Sequence, residues 1–154
     1  GTGQAGGTPV DLVSLGAGRF DVVRNSPRDQ AADLRLEYRP VLAGFAEGVF
    51  LLRSLAGLEV TSDGGAYLLG GLALDLVLGP MVVTPSIGSG LHHAAHGKDL
   101  GSVVEFRSSI EVGWQMDSGG RISLAFGHLS NAGLTRRNPG AEVVTLYLHL
   151  PVAW

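Results

Sequence analysis

In the stretch FGHLSNAGL, Phe126 to Leu134, a histidine and a serine stand two residues apart, and Glu142 follows twelve residues after the serine. A hydroxyl, an imidazole and a carboxylate are the parts of a nucleophilic hydrolase. The imidazole takes the hydroxyl proton, the carboxylate orients the imidazole, and the serine oxygen attacks a carbonyl carbon. The same three types at a strand end also have a plain structural reading, as polar residues where an apolar stretch meets water. His128, Ser130 and Glu142 all fall on the alternation that carries Leu124 and Phe126, where a soluble enzyme keeps its core. Which reading holds depends on what that face touches.

Composition narrows the choice. The 154 residues suffice for one domain spanning 1–154 with a sizeable interior. Charged residues make up 16%, against the roughly 25% usual in soluble domains. Lys98 is the only lysine, although lysine normally guards the outer face and edge strands of a soluble β-domain. No run of about 18 apolar residues is present, which excludes a membrane-spanning helix. With no cysteine there is no disulfide framework, thiol nucleophile or zinc–thiolate site. A net charge of −3, without any basic stripe, argues against a nucleic-acid partner.

The chain instead alternates. From Ser102 to Asp117 the even positions are Val104, Phe106, Ser108, Ile110, Val112, Trp114 and Met116, while Glu105, Arg107, Glu111 and Gln115 stand between them. Period two over such a length marks a strand with one apolar and one polar face. Asp33–Arg39, Leu68–Leu78, Arg121–Gly127 and Val143–Val152 behave alike, and Val10–Val23, Phe50–Thr61 and Met81–His92 are weaker but extended. Gly79–Pro80 and Asp117–Gly120 are tight-turn signals, and the 41–49 stretch VLAGFAEGV is a less tidy connection on the same side. RNSPRDQ, TSDGG, HAAHGKDLG and NAGLTRRNPGA connect the other ends. Eight antiparallel strands in up-and-down order, all-β, predict a small transmembrane β-barrel of the bacterial outer membrane.

A soluble barrel alternates too, but with its apolar face inward. The inverted arrangement is favoured by strands long enough to cross a bilayer at a tilt. It also fits a polar face mixing opposite charges with Gly, Ala and Ser, which suits a narrow lumen. The chain ends in Trp154 on the apolar face, like the C-terminal signal of such barrels. By parity His128, Ser130 and Glu142 then point toward lipid. A loop centred near Arg136 predicts Ser130 and Glu142 opposite one another, with His128 one pair deeper. An even strand count sets this rim on the extracellular side, level with the outer-leaflet headgroups. Polar groups there are costly unless partnered and usually have a function.

The segment GHLSNAGLTRRNPGAEVVTLYLHLPVAW resembles the outer-membrane lipid A 3-O-deacylases. The resemblance covers roughly the last third of the chain; upstream, strand number and turn layout agree rather than distinctive motifs. It implies hydrolysis of the ester-linked 3-hydroxyacyl chain at position 3 of lipid A, with no metal or other cofactor. By the family pattern Ser130 is the nucleophile, His128 the general base and then acid, and Glu142 the residue that orients the imidazole. The Asn131 side chain and the Gly133 backbone N–H are the expected oxyanion donors. The pair Arg136–Arg137 and the histidine-rich fifth loop depart from the pattern and bear on substrate preference. Lipopolysaccharide and surrounding lipids are the expected partners, and pairing of barrels into a homodimer is open.

Other candidates are weaker. Arg136, Arg137, Lys98 and Arg28 lie in predicted outer loops, either solvated or engaging lipid A phosphates. His92, His93 and His96 cluster, but in a predicted outer loop where surface histidines are the simpler reading than zinc ligands. His149 alternates with Thr145 and Tyr147 and reads as a lumen residue. SLGAGRF lacks the following helix that nucleotide binding needs. Two alternatives remain: an esterase of the same build acting on phospholipid or another acyl glycolipid, and a non-catalytic structural barrel.

Overall fold

A computed structural model describes residues 10–20, 31–62, 65–93, 104–130 and 141–152. Its strands are β1 (Asp11–Phe20), β2 (Ala31–Arg39), β3 (Val41–Phe45), β4 (Phe50–Thr61), β5 (Ala66–Leu78), β6 (Met81–His93), β7 (Val104–Gln115), β8 (Arg121–Ser130) and β9 (Ala141–Val152). All ladders are antiparallel, and β1 pairs with both β2 and β9, so the sheet closes on itself. β2 and β3 run in tandem along β4, so nine strands fill eight positions in the wall. Pro40 separates them because it has no N–H to give the ladder, yet its carbonyl still accepts from Ser54 N–H at 3.2 Å. The expected 41–49 connection is therefore mostly strand. Only Ala46–Val49 turns, with Ala46, Glu47 and Gly48 at positive φ.

Alternation sorts the side chains as a bilayer requires. Leu34, Leu36, Leu68, Leu72, Ile110, Val112, Trp114, Ile122, Leu124, Phe126 and Leu146 are exposed, while Asp33, Arg35, Glu37, Arg39, Arg53, Asp75, Glu111 and Arg121 are buried. A closed sheet satisfies its backbone internally, and an apolar exterior over a polar interior is the build of a membrane-spanning barrel.

Inside, the charges hold one another. Arg39 donates to Glu37 at 2.8 Å and to Glu111 at 2.9 Å. Asp75 accepts from Arg53 at 2.8 Å, Arg121 at 3.1 Å and Thr84 Oγ1 at 2.7 Å. Arg35 donates to Asp33 at 3.0 Å and to the Tyr147 hydroxyl at 2.8 Å, and that hydroxyl donates to Glu37 at 2.7 Å. Removing one member would strand a buried charge, which ties the wall strands to one arrangement.

The first residues of β1 pair with the last of β9, Asp11 with Val152. Both lie at the end of the short turns, where Gly79 and Gly119 supply the positive φ that a tight reversal needs. At the opposite end β5 and β6 run further than expected: His92 pairs with Tyr67 and His93 with Ala66. His92 thus ends the expected strand and His93 extends it by one residue, so neither lies in the loop. His96, Lys98, Arg28 and Trp154 fall outside the described residues.

Candidate active site

β8 and β9 place the first two members of the predicted set. Along β8, Ile122, Leu124, Phe126 and His128 are exposed, and along β9 Leu146, Leu148 and Leu150 are exposed on the same side of the wall. The ladder sets His128 directly opposite Glu142, at the spacing where cross-strand side chains meet. Glu142 Oε2 accepts from His128 Nδ1–H at 2.9 Å. The imidazole is 47% exposed and the carboxylate 15%. With Nδ1 holding the proton for the carboxylate, Nε2 is left with its lone pair, the tautomer a general base needs.

The register differs from expectation by one pair of residues. Glu142 faces His128 and not Ser130, because Leu129 pairs with Ala141 and the β8–β9 connection is therefore centred at 135 instead of 136. This favours the chemistry, since the carboxylate bonds the imidazole directly. Ser130 is the last residue of β8, two positions beyond His128, its backbone in register with Phe106 on β7. Asn131, Gly133, Arg136 and Arg137 lie outside the described residues.

Two features escaped the sequence reading. On its other flank His128 faces Ser108 of β7, the one polar residue in the otherwise apolar even set of that strand. From there an open groove of about 520 Å³ runs outside the wall over β7, β6 and β5. Gly70, Ser89 and Ser108 form its shallow floor beside Leu72, Ile87 and Phe106, and His128 closes one end. A Cβ added to Gly70 would meet nothing nearer than 3.9 Å, so a side chain there would project freely into the groove.

The second feature is another Ser–His–Glu cluster, in the lumen. His149 Nδ1 meets Ser14 Oγ at 2.5 Å, and Nε2 meets Glu111 Oε1 at 2.5 Å and Ser123 Oγ at 2.9 Å. Ser14 and His149 are both fully buried, so an ester has no face from which to approach. Both ring nitrogens are engaged, and Glu111 also holds Arg39. That cluster is part of the interior network, consistent with the lumen reading of His149. Among the described residues no group of three or more His, Asp or Glu is arranged to hold a metal ion.

The family model described as Lipid A 3-O-deacylase (PagL) matches residues 53–151, from within β4 to the penultimate residue of β9. The chain belongs to the lipid A 3-O-deacylase family. A lipid A deacylase, PagL, of Bordetella bronchiseptica is 39% identical over 49 residues, which are 32% of this chain and only 28% of that relative's length. The crystal structure of the outer membrane enzyme PagL superposes with a TM-score of 0.71 at 19% identity, covering 92% of this chain and 99% of that one. A de novo designed transmembrane β-barrel superposes with a TM-score of 0.60 at 10% identity, over 94% and 96% of the two chains. At these identities the superpositions speak for the barrel; membership of the deacylase family rests on the model match.

Proposed function

We propose that the chain is an outer-membrane serine esterase that removes the ester-linked 3-hydroxyacyl chain at position 3 of lipid A, using Ser130, His128 and Glu142. One observation carries the reading. A hydrogen-bonded His128–Glu142 pair stands on the lipid-facing wall, at the mouth of an apolar groove, beside the serine that ends the same strand. Lipid A is anchored in the outer leaflet, so its ester reaches the wall sideways. A nucleophile outside the barrel meets it, and one in the lumen cannot.

Ser130 Oγ attacks the ester carbonyl while its proton passes to His128 Nε2. The imidazolium that forms is held by the Glu142 carboxylate through Nδ1–H. The oxyanion is received by the Asn131 side chain and the Gly133 N–H. Collapse breaks the bond to the sugar oxygen, which takes the proton from Nε2, leaving the acyl group on Ser130. Water, deprotonated by His128, then cleaves the acyl-enzyme and releases the 3-hydroxy fatty acid. The groove over Gly70, Ser89 and Ser108 takes the acyl chain, so the chain lies along the wall with its carbonyl near the end of β8.

A serine-directed phosphonate probe tests the assignment. Labelling of wild type, with loss of the label in Ser130→Ala and retention in Ser14→Ala, supports it. Unchanged labelling of Ser130→Ala would refute it.

A further inference from the structure

Six arginines have described side chains, and five of them, Arg35, Arg39, Arg53, Arg107 and Arg121, are buried in the lumen. Arg19 is the exception: it is exposed. It lies on β1 opposite Val144 of β9, continuing the outward set of Leu15 and Ala17. Glu142 is two residues from Val144 along β9, which makes Arg19 its diagonal neighbour, within reach of a long side chain. An arginine on the lipid face is costly at the bilayer midplane and far less so near the interface. Arg19, one residue from the end of β1, sits where that cost is low and its guanidinium can rise to headgroup level.

The surroundings of His128 are therefore two-sided. Toward β7, β6 and β5 lies the apolar groove. Toward β9 and β1 lie Glu142 and then Arg19. A substrate with an acyl chain on one side of its ester and an anionic sugar on the other fits this polarity in only one direction. The step from β8 to β1 crosses two strand spacings, about 10 Å, which a sugar ring bearing a phosphate spans together with an arginine side chain. Guanidinium and phosphate make strong, often bidentate hydrogen bonds.

We propose that Arg19 is a positioning residue that binds a phosphate on the sugar headgroup of the substrate, turning the acyl ester toward Ser130. This rests on the deacylase reading for the identity of the substrate. Arg19 lies outside the residues 53–151 that the family model matches.

The test uses the full chain in neutral detergent and a 3-O-hydroxyacyl glucosamine lipid with and without its sugar phosphate. Arg19→Gln lowers kcat/KM on the phosphorylated lipid roughly tenfold, mainly through KM. It leaves the dephosphorylated lipid within twofold of wild type, and Arg19→Lys restores part of the loss. Binding of the same two lipids to Ser130→Ala, with and without Arg19→Gln, reads the anion contact with no turnover. Equal losses on both lipids would show that Arg19 acts through Glu142 or the wall, and no loss on either would show that it does not touch the substrate. Either result overturns the proposal. So does a difference that appears on the dephosphorylated lipid only when phosphatidylglycerol is added, since Arg19 would then hold a neighbouring lipid. Wild type that binds the phosphorylated lipid through Arg19 but cleaves neither substrate would defeat the deacylase reading and leave the anion site standing.

Discussion

Replacing Glu142 by Gln isolates what the carboxylate contributes to the imidazole. Glu142 accepts from His128 Nδ1–H at 2.9 Å, and the amide oxygen of Gln can accept in the same place, so the ring keeps its orientation. What disappears is the negative charge opposite the imidazolium that, on the proposed mechanism, forms as Ser130 gives up its proton. A hydrogen bond to a charged group contributes about 1.5–3 kcal/mol and a neutral one about 0.5–1.5. The difference, about 1–1.5 kcal/mol and realised only in the transition state, slows kcat roughly fivefold to tenfold at about 1.4 kcal/mol per decade. Glu142→Ala also releases the ring and costs more, approaching the loss of about 10⁴ known when the acid of a triad is disabled. The 15% exposure of the carboxylate keeps both below that limit in detergent. Because Glu142 stands on the outer wall, on the face opposite the lumen ion pairs, the variants fold with wild-type thermal stability. Single-turnover release of 3-hydroxy fatty acid, measured in the same detergent, gives the ratio with KM unchanged. A folded Glu142→Gln barrel within twofold of wild type would refute the role assigned to the carboxylate.

Filling the groove at its floor with Gly70→Leu should misplace long acyl chains. Chain and membrane are equally apolar, so burial contributes little and the effect is steric. A fall of roughly tenfold or more in kcat/KM on the long-chain lipid, with a far smaller fall on a short-chain ester, checks it by parallel assays. In the lumen, Glu111→Ala leaves Arg39 and His149 without their shared carboxylate and costs about 3–5 kcal/mol. Thermal loss of the fast-migrating folded form on unboiled gels reads that destabilisation. Ser14→Ala removes the serine of the buried cluster, and lipid A turnover by the folded protein stays within twofold of wild type. A large loss there would move the chemistry inside the barrel.

The barrel was legible because period-two alternation is a direct consequence of strand geometry. The run from Val104 to Met116 alone sets apolar against charged residues, and strand length, the mixed-charge polar face and Trp154 on the apolar face tell which side faces lipid. His128 and Glu142 were legible for the same reason: parity assigns a face without knowledge of the register. Register itself was not, since shifting the centre of the β8–β9 loop by one residue preserves every face and changes only which pair meets. Tandem β2 and β3 were hidden by Pro40, which mimics a turn signal although the ladder resumes beyond it. The groove is a property of three strands together. Gly70, Ser89 and Ser108 are far apart in sequence, and only Ser108, a polar residue in an apolar set, gave a local hint. Arg19 could be read as outward from Leu15 and Ala17, but its nearness to Glu142 depends on β1 closing against β9.

On the proposed mechanism Ser130, at the end of β8, opens the position-3 ester of lipid A. Mass spectrometry of lipid A from cells producing wild type or Ser130→Ala at equal barrel levels tests it most directly. Wild type removes one 3-hydroxyacyl chain, and the variant leaves lipid A intact. Deacylation by Ser130→Ala equal to that of wild type would contradict it.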